Sequence, residues 1–292
     1  MTDIPRIGES TPEYVSETAM QYHADKSRIS SSMIKTLTTR SPGHLIESLR
    51  REDEDSDAMR FGRVLHLAVL EPKVFESTVR CMPDFGAMQS KTNREKKAAW
   101  LADLPPGAEA VTDEEMSRIK ECQHQIRLHR LAATILEEGK CEVTGHFTHP
   151  ETKVMCKIRP DFMRQRKDGS IQLVDLKSAT DGSLEGFSTA MARYQYHIQA
   201  AMYPLGVEII SKKRVSFAFI VVESKPPHAC AIYVPNQETL DFGRSWVEYG
   251  LRKYRECVDL KHFPYYQSDG AQDVGLPKWA LRRGGYGDET FE

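Results

Sequence analysis

Ile171-Gln172-Leu173-Val174-Asp175-Leu176-Lys177 is an apolar run with two charges set into its end. Its composition predicts a strand, and a strand places residues 175 and 177 on one face because side chains alternate with period two. One carboxylate and one ammonium then share a pocket. Asp161 stands fourteen positions upstream, in a stretch from Lys153 to Phe162 that also reads as a strand. Between them, Lys167-Asp168-Gly169-Ser170 is turn chemistry. The two strands therefore pair as a meander, and the carboxylates of Asp161 and Asp175 converge at one end of the sheet. Hard divalent cations prefer oxygen ligands, and Mg²⁺ is held by few carboxylates, with other positions left for water and phosphate. A metal there lowers the pKa of an attacking water, while the lysine positions the nucleophile or steadies developing charge. The same D-x-K spacing also suits a salt bridge on a solvated face. What favours chemistry is that the charges interrupt an apolar strand.

Working outward, a helix is expected from about Ser183, with Phe187, Met191, Tyr194, Ile198, Met202 and Leu205 at spacings of three or four. Gln199 and Tyr203 share one of its faces. Gln199 suits a hydrogen bond to phosphate or base and Tyr203 suits stacking, although a polar edge beside a core stripe has the same pattern. Val215 to Val222 reads as a strand buried in a sheet centre, Ala229 to Val234 as its partner, and Asn236 as the cap of a helix to about Asp259. Upstream, Cys141 to Thr148 is a moderate strand, and Asp113 to Glu138 reads as one long amphipathic helix. The cluster from Lys91 to Lys97 falls in a less regular stretch. Its Lys91, Arg94, Lys96 and Lys97 suit a grip on DNA or a solvated charge run. A helix from about Ala58 to Leu70, ended by Glu71-Pro72, carries His66 on an apolar face. Gly62, one turn earlier, leaves room for another element beside the imidazole, where a core histidine is the plainer alternative. Glu52 to Asp57 reads as a solvated loop, and Ser30 and Ser41-Pro42 open two short helices. Residues 1 to about 30 read as a polar arm.

The order predicts an α/β (α+β) fold: a central mixed β-sheet flanked by helices, with an α-helical N-terminal portion. A single domain over 1–292 is expected, with a helical portion 1–138, a mixed-sheet core 139–262 and a tail 263–292.

Hydrophobic residues at 40% and charged residues at 28% are an ordinary globular balance that excludes global disorder. The sequence has no run of about 18 apolar residues, so no membrane partner is expected, and the N-terminus lacks a secretory pattern, so the expected location is cytoplasmic. Six cysteines without a C-x-x-C pair predict reduced thiols rather than a zinc or iron–sulfur cluster. A net charge of −2 argues against coating DNA through bulk charge, and leaves local basic clusters open.

Taken together, Gly62-x-x-x-His66, Arg159-Pro160-Asp161, Asp175-Leu176-Lys177 and Gln199-x-x-x-Tyr203 resemble the motifs of the PD-(D/E)xK nuclease superfamily, in its RecB/RecE-like branch. The resemblance to RecE-type exonucleases extends through residues 61–66, 70–72, 157–162, 174–179 and 196–203, in the expected order across roughly residues 20 to 265. It implies a PD-(D/E)xK core in which His66, Asp161 and Asp175 ligate Mg²⁺, with Mn²⁺ as a substitute and the Leu176 carbonyl also available. Lys177 is then the catalytic lysine. Glu142 matches an acidic position assigned to a second metal or its water, and Gln199 and Tyr203 match a DNA-contacting helix motif. The family activity is 5′-to-3′ digestion of linear duplex DNA from its ends. It leaves 3′ single strands for an annealing protein of the RecT type, and homo-oligomeric rings in phage or prophage recombination are typical. Without a long N-terminal extension, the chain is expected to be a stand-alone nuclease unit. It departs from the iron–sulfur branch in lacking a cysteine cluster. A structure- or site-specific endonuclease on the same fold, and a non-catalytic DNA-binding protein with a vestigial metal site, are the competing readings. Retention of His66, Asp161, Asp175 and Lys177 argues against the latter.

Overall fold

Capping residues and buried strands divide the chain in the computed structural model, which describes residues 4–51, 56–266, 270–277 and 280–281. Of the acidic run from Glu52 to Asp57, residues 52–55 lie outside the described residues, as do 267–269, 278–279 and 282–292 of the expected tail. The expected N-terminal arm contains β1 (Glu13–Val15) and α1 (Ala19–Ala24), the helix opened by a capping box between Thr18 and Gln21. Ser30 and Ser41 cap α2 (Ser31–Thr39) and α3 (Pro42–Arg50), as their spacing predicts. Ser56 caps α4 (Asp57–Leu70). Pro72 does more than end that helix: it opens α5 (Pro72–Thr78), which runs into β2 (Val79–Cys81).

The basic stretch expected to be irregular is a helix, α6 (Lys91–Ala102), capped by Ser90. It buries none of its residues, so it lacks the apolar stripe that periodicity detects. Next, β3 (Glu109–Val111) pairs parallel with β2. The single long helix expected over 113–138 is two, α7 (Asp113–Leu128) and α8 (Arg130–Leu136). His129 leaves the helical region at ψ 99 and caps the second helix, its Nδ1 accepting from the Ala132 N–H at 3.2 Å.

The two strands expected over 141–148 and 153–162 each break and divide between two sheets. The first is β4 (Lys140–Cys141) followed by β5 (Thr144–Thr148), with Glu142 between them in the left-handed region at φ 52. The second is β6 (Met155–Ile158), after which Pro160 removes a ladder donor before β7 (Phe162–Gln165) begins. The third expected strand, β8, runs slightly longer, over Ile171–Ala179. Gln195, also left-handed at φ 54, splits the next expected helix into α9 (Leu184–Tyr194) and α10 (Tyr196–Ser211). Then come β9 (Val215–Glu223), β10 (Cys230–Tyr233) and α11 (Gln237–Asp259) capped by Asn236.

A three-stranded antiparallel sheet takes the order β1-β5-β6, and the central five-stranded sheet the order β10-β9-β8-β7-β4. Only the β8–β9 pair of the larger sheet is parallel, so it is mixed. Alternation along β8 and β9 feeds two cores. Leu173, Phe217, Phe219 and Val221 join Ile34, Leu37, Ile198, Met202 and Leu251 on one face. Val174, Leu176, Ile220 and Val222 join Val64, Leu65, Ile119 and Ile126 on the other. Asp175 and Lys177 thus fall on the α10 side, and Leu176 on the α4 side. Among the described residues no helix is long and apolar enough to cross a membrane.

Candidate active site

Asp161 ends the Pro160 break, one residue before β7. The register that pairs Phe162 with Val174 brings it level with Asp175. Its Oδ2 accepts the Leu176 N–H at 2.7 Å, which fixes the carboxylate against the edge of β8. Glu142 reaches the same place from the β4–β5 break, where its own N–H donates to the Asp161 carbonyl at 3.0 Å. A left-handed backbone at a non-glycine residue costs about 1 kcal/mol, which tertiary contacts must offset. They do so here through Arg159, whose Nε donates to Glu142 Oε2 at 2.8 Å while Nη1 donates to Thr144 Oγ1 at 2.7 Å.

The third partner, His66, comes from α4. Its Nε2 lies 2.8 Å from the Leu176 carbonyl and its Nδ1 lies 3.5 Å from Asp161 Oδ2. A carbonyl only accepts, so Nε2 carries the proton and Nδ1 keeps its lone pair facing the carboxylates. The close approach expected at Gly62 is not what the glycine provides: a Cβ there would meet only the Ser178 hydroxyl at 3.8 Å, an ordinary contact. One ligand atom from each of His66, Glu142 and Asp161 can be chosen so that all lie within 4.8 Å of one another.

Asp175 occupies a different niche. It is fully buried, it forms an ion pair with Lys177, and its Oδ1 accepts from Gln199 Nε2 on α10. Lys177 Nζ also lies 4.9 Å from the centre of the Tyr196 ring. The site is thus a row: the His66–Glu142–Asp161 cluster on one side of β8, and the Asp175–Lys177 pair on the other.

Electrostatics follow from crowding acids in a dry place. Burial first and Asp175 second push the Asp161 carboxyl well above the ordinary carboxylate range. Burial and then Asp161 push Glu142 up to about 7, against the pull of Arg159. Burial and Lys177 lower His66, which keeps its imidazole neutral. Burial works against the charge on Lys177, but Asp175 and Asp161 outweigh it and its pKa is raised. Crowded carboxylates beside a neutral imidazole are relieved by a divalent cation, and two carboxylates with one nitrogen fit Mg²⁺ or Mn²⁺.

Several sequence expectations shift in detail. Asp175, expected as a ligand beside His66 and Asp161, lies apart from the His66–Glu142–Asp161 group, paired with Lys177 and accepting from Gln199. The Leu176 carbonyl, expected as a further ligand, accepts from the His66 N–H. Gln199 holds Asp175 instead of facing outward. Tyr203 is 6% exposed and packs in the core, out of reach of a DNA surface. On α6, Lys91 lies 3.8 Å from Glu95, and Arg94 donates to the Met88 and Gln89 carbonyls at 2.9 Å. Three residues escaped sequence reasoning: Arg159 as the holder of Glu142, Tyr196 beside Lys177, and Lys35 on α2, whose Nζ lies 5.3 Å from the Tyr196 ring centre. Arg159 and Tyr196 carry a signal through their places in the blocks 157–162 and 196–203, whereas Lys35 carries none.

A mixed sheet that brings two carboxylates and a lysine to the edge of adjoining strands defines the PD-(D/E)xK nuclease class. The model of the family described as "PDDEXK-like domain of unknown function (DUF3799)" matches residues 30–273, and the chain belongs to that family. The fold also resembles the crystal structure of a Eubacterium rectale protein named "Putative exonuclease", with a TM-score of 0.61 and 15% identity over 92% of this chain and 98% of that one. The structure of SSO0001 overlaps 68% of this chain and 85% of its own at 14% identity, with a TM-score of 0.28 that carries no argument. No curated protein matches the sequence.

Proposed function

We propose that this protein is a Mg²⁺- or Mn²⁺-dependent exodeoxyribonuclease that degrades linear duplex DNA, 5′ to 3′, leaving 3′ single strands. The observation that carries the hydrolytic part is the half-buried His66–Glu142–Asp161 cluster, set one strand face away from a lysine held by Asp175. A bound divalent cation supplies Lewis acidity toward a phosphodiester and lowers the pKa of water. The chain's own residues do the rest. His66, Glu142 and Asp161 would hold the ion, and Arg159 fixes the Glu142 carboxylate. Asp175 and Gln199 fix the direction of the Lys177 ammonium. Lys177 then orients the attacking water or bonds a phosphate oxygen as charge develops on it. End dependence, polarity and a RecT-type annealing partner are supported by the resemblance of residues 61–66, 157–162, 174–179 and 196–203 to RecE-type exonucleases.

The test is release of label from end-labelled linear duplex by purified protein. Mg²⁺ or Mn²⁺ should support release, EDTA should stop it, and Asp161→Asn should abolish it while circular dichroism stays unchanged. Full activity of Asp161→Asn, or activity in EDTA, would return the acidic cluster to a structural role.

A further inference from the structure

Lys35 lies in the middle of α2, between the fully buried Ile34 and Leu37, and is itself half-buried. Its Nζ is 5.3 Å from the centre of the Tyr196 ring, and Lys177 Nζ is 4.9 Å from the same centre. Two ammonium groups from different elements therefore stand beside one aromatic ring at the active site. Among the described residues no carboxylate lies within ion-pair distance of Lys35. The acid that acts on it electrostatically, Asp175, is already engaged by Lys177 and Gln199. Burial and the neighbouring Lys177 push the Lys35 pKa down to about 8. A half-buried ammonium facing a second one destabilises the fold unless an anion joins them. Nothing in packing demands a charge there, since a methionine would cover the same apolar surface.

We propose that Lys35 and Lys177 form a two-ammonium seat for a substrate phosphate, with Lys35 as a phosphate-binding residue of the site. The proposal rests on the nuclease reading for the identity of the anion as a nucleic-acid phosphodiester. Lys177 already has its own carboxylate, so it contributes mainly direction, whereas Lys35 supplies the uncompensated charge. The Tyr196 ring attracts both ammonium heads through cation–π contacts, which hold them near one place while leaving N–H groups free to bond a phosphate.

The test measures binding of a fluorescein-labelled duplex of 5′-phosphorylated DNA over a salt series, with Ca²⁺ replacing Mg²⁺ to suppress turnover. Steady-state cleavage in Mg²⁺ is measured alongside. Lys35→Gln and Lys35→Met are compared with wild type and with Arg252→Gln, a remote exposed control paired with Glu151. Loss of one phosphate contact should lower affinity roughly tenfold and flatten the slope of log K against log salt by about 0.9, whereas Arg252→Gln should leave the slope alone. Lys35→Met should also melt no lower than wild type without DNA, which separates loss of a ligand contact from misfolding. An unchanged affinity and slope for both Lys35 variants, with wild-type cleavage intact, would overturn the seat and leave the nuclease reading standing. A Lys35-dependent slope in a protein that cleaves no DNA would sustain the seat and defeat the nuclease reading. Absence of any DNA binding by the wild type would defeat both.

Discussion

Removing Lys177 does two things at once, because its partner Asp175 is fully buried. On the proposed mechanism, Lys177→Ala deletes the ammonium that would steady the reacting phosphate, which commonly costs on the order of 10²-fold or more in rate. It also leaves a buried carboxylate without its counter-charge, a loss of about 3 kcal/mol. Lys177→Arg should rescue poorly, since a planar fork replaces a compact head. The double variant Asp175→Asn/Lys177→Ala should regain thermal stability and remain inactive. Recovery of both properties together would show that the lysine serves packing alone. Glu142 offers a second test, through pH. Its carboxyl titrates at about 7 in the fold against an ordinary value of 4.5, so the folded state holds that proton more tightly. This contribution to stability is complete below pH 4.5 and lost as pH rises through 7, and Asp161, raised in the same direction, reinforces it. His66, lowered by burial, acts oppositely, but only below its ordinary value of 6.5. Metal-free protein should therefore melt at a lower temperature at pH 8 than at pH 6.5. Glu142→Gln should reduce that difference, and Mg²⁺ should raise the melting temperature more at pH 8 than at pH 6.5. A melting temperature that climbs over this window would contradict the crowded-acid account. At this scale the sequence was informative about identities and silent about pairing. Asp161, Asp175, Lys177 and His66 stood out by spacing. That Glu142 stands with His66 and Asp161 while Asp175 pairs with Lys177 depends on a left-handed backbone and on Gln199 reaching across from α10, which no local pattern encodes.

Helices place these groups only if they pack at the right distance, and Gly243 sets that distance between α10 and α11. A Cβ built there would clash with the His197 carbonyl oxygen and lie 3.0 Å from Ala201 Cβ. Gly243→Ala gains about 1 kcal/mol of helix propensity, but must push α10 outward at a cost of about 1–3 kcal/mol. Because α10 carries Gln199, the shift also loosens the hold on Asp175. The variant should therefore lower both the denaturation midpoint and the cleavage rate; a midpoint at or above wild type would refute the close-packing argument. Elements legible in the sequence were those with a buried face or a clear cap: α2, α3, α4, β8, β9 and α11 all begin within a residue or so of where side-chain pattern places them. Those misjudged share a cause. The breaks at His129, Glu142 and Gln195 fall at residues with no proline or glycine to announce them, and α6 has no apolar stripe.

For the molecule as a whole, the central difficulty is holding DNA with a net charge of −2. Affinity for duplex grows with the number of phosphates neutralised, so an almost neutral chain cannot remain on its substrate through many cycles by charge alone. Topology is the physical alternative: several copies enclosing the duplex would keep it in place without tight binding, as the resemblance to ring-forming exonucleases implies. Two consequences separate this arrangement from a monomer that cuts internally. Light scattering should report a species that is a multiple of the 33.2 kDa chain. Linear duplex should be degraded, while covalently closed circles of the same sequence survive because they offer no end to thread. The polarity belongs to the same experiment. A duplex labelled at its 5′ ends should lose label early, and one labelled at its 3′ ends should retain it until the single strand is consumed. A monomer that cuts closed circles as fast as linear DNA would remove the enclosing ring, and with it the need for an end, and would make the protein an endonuclease built on the same site.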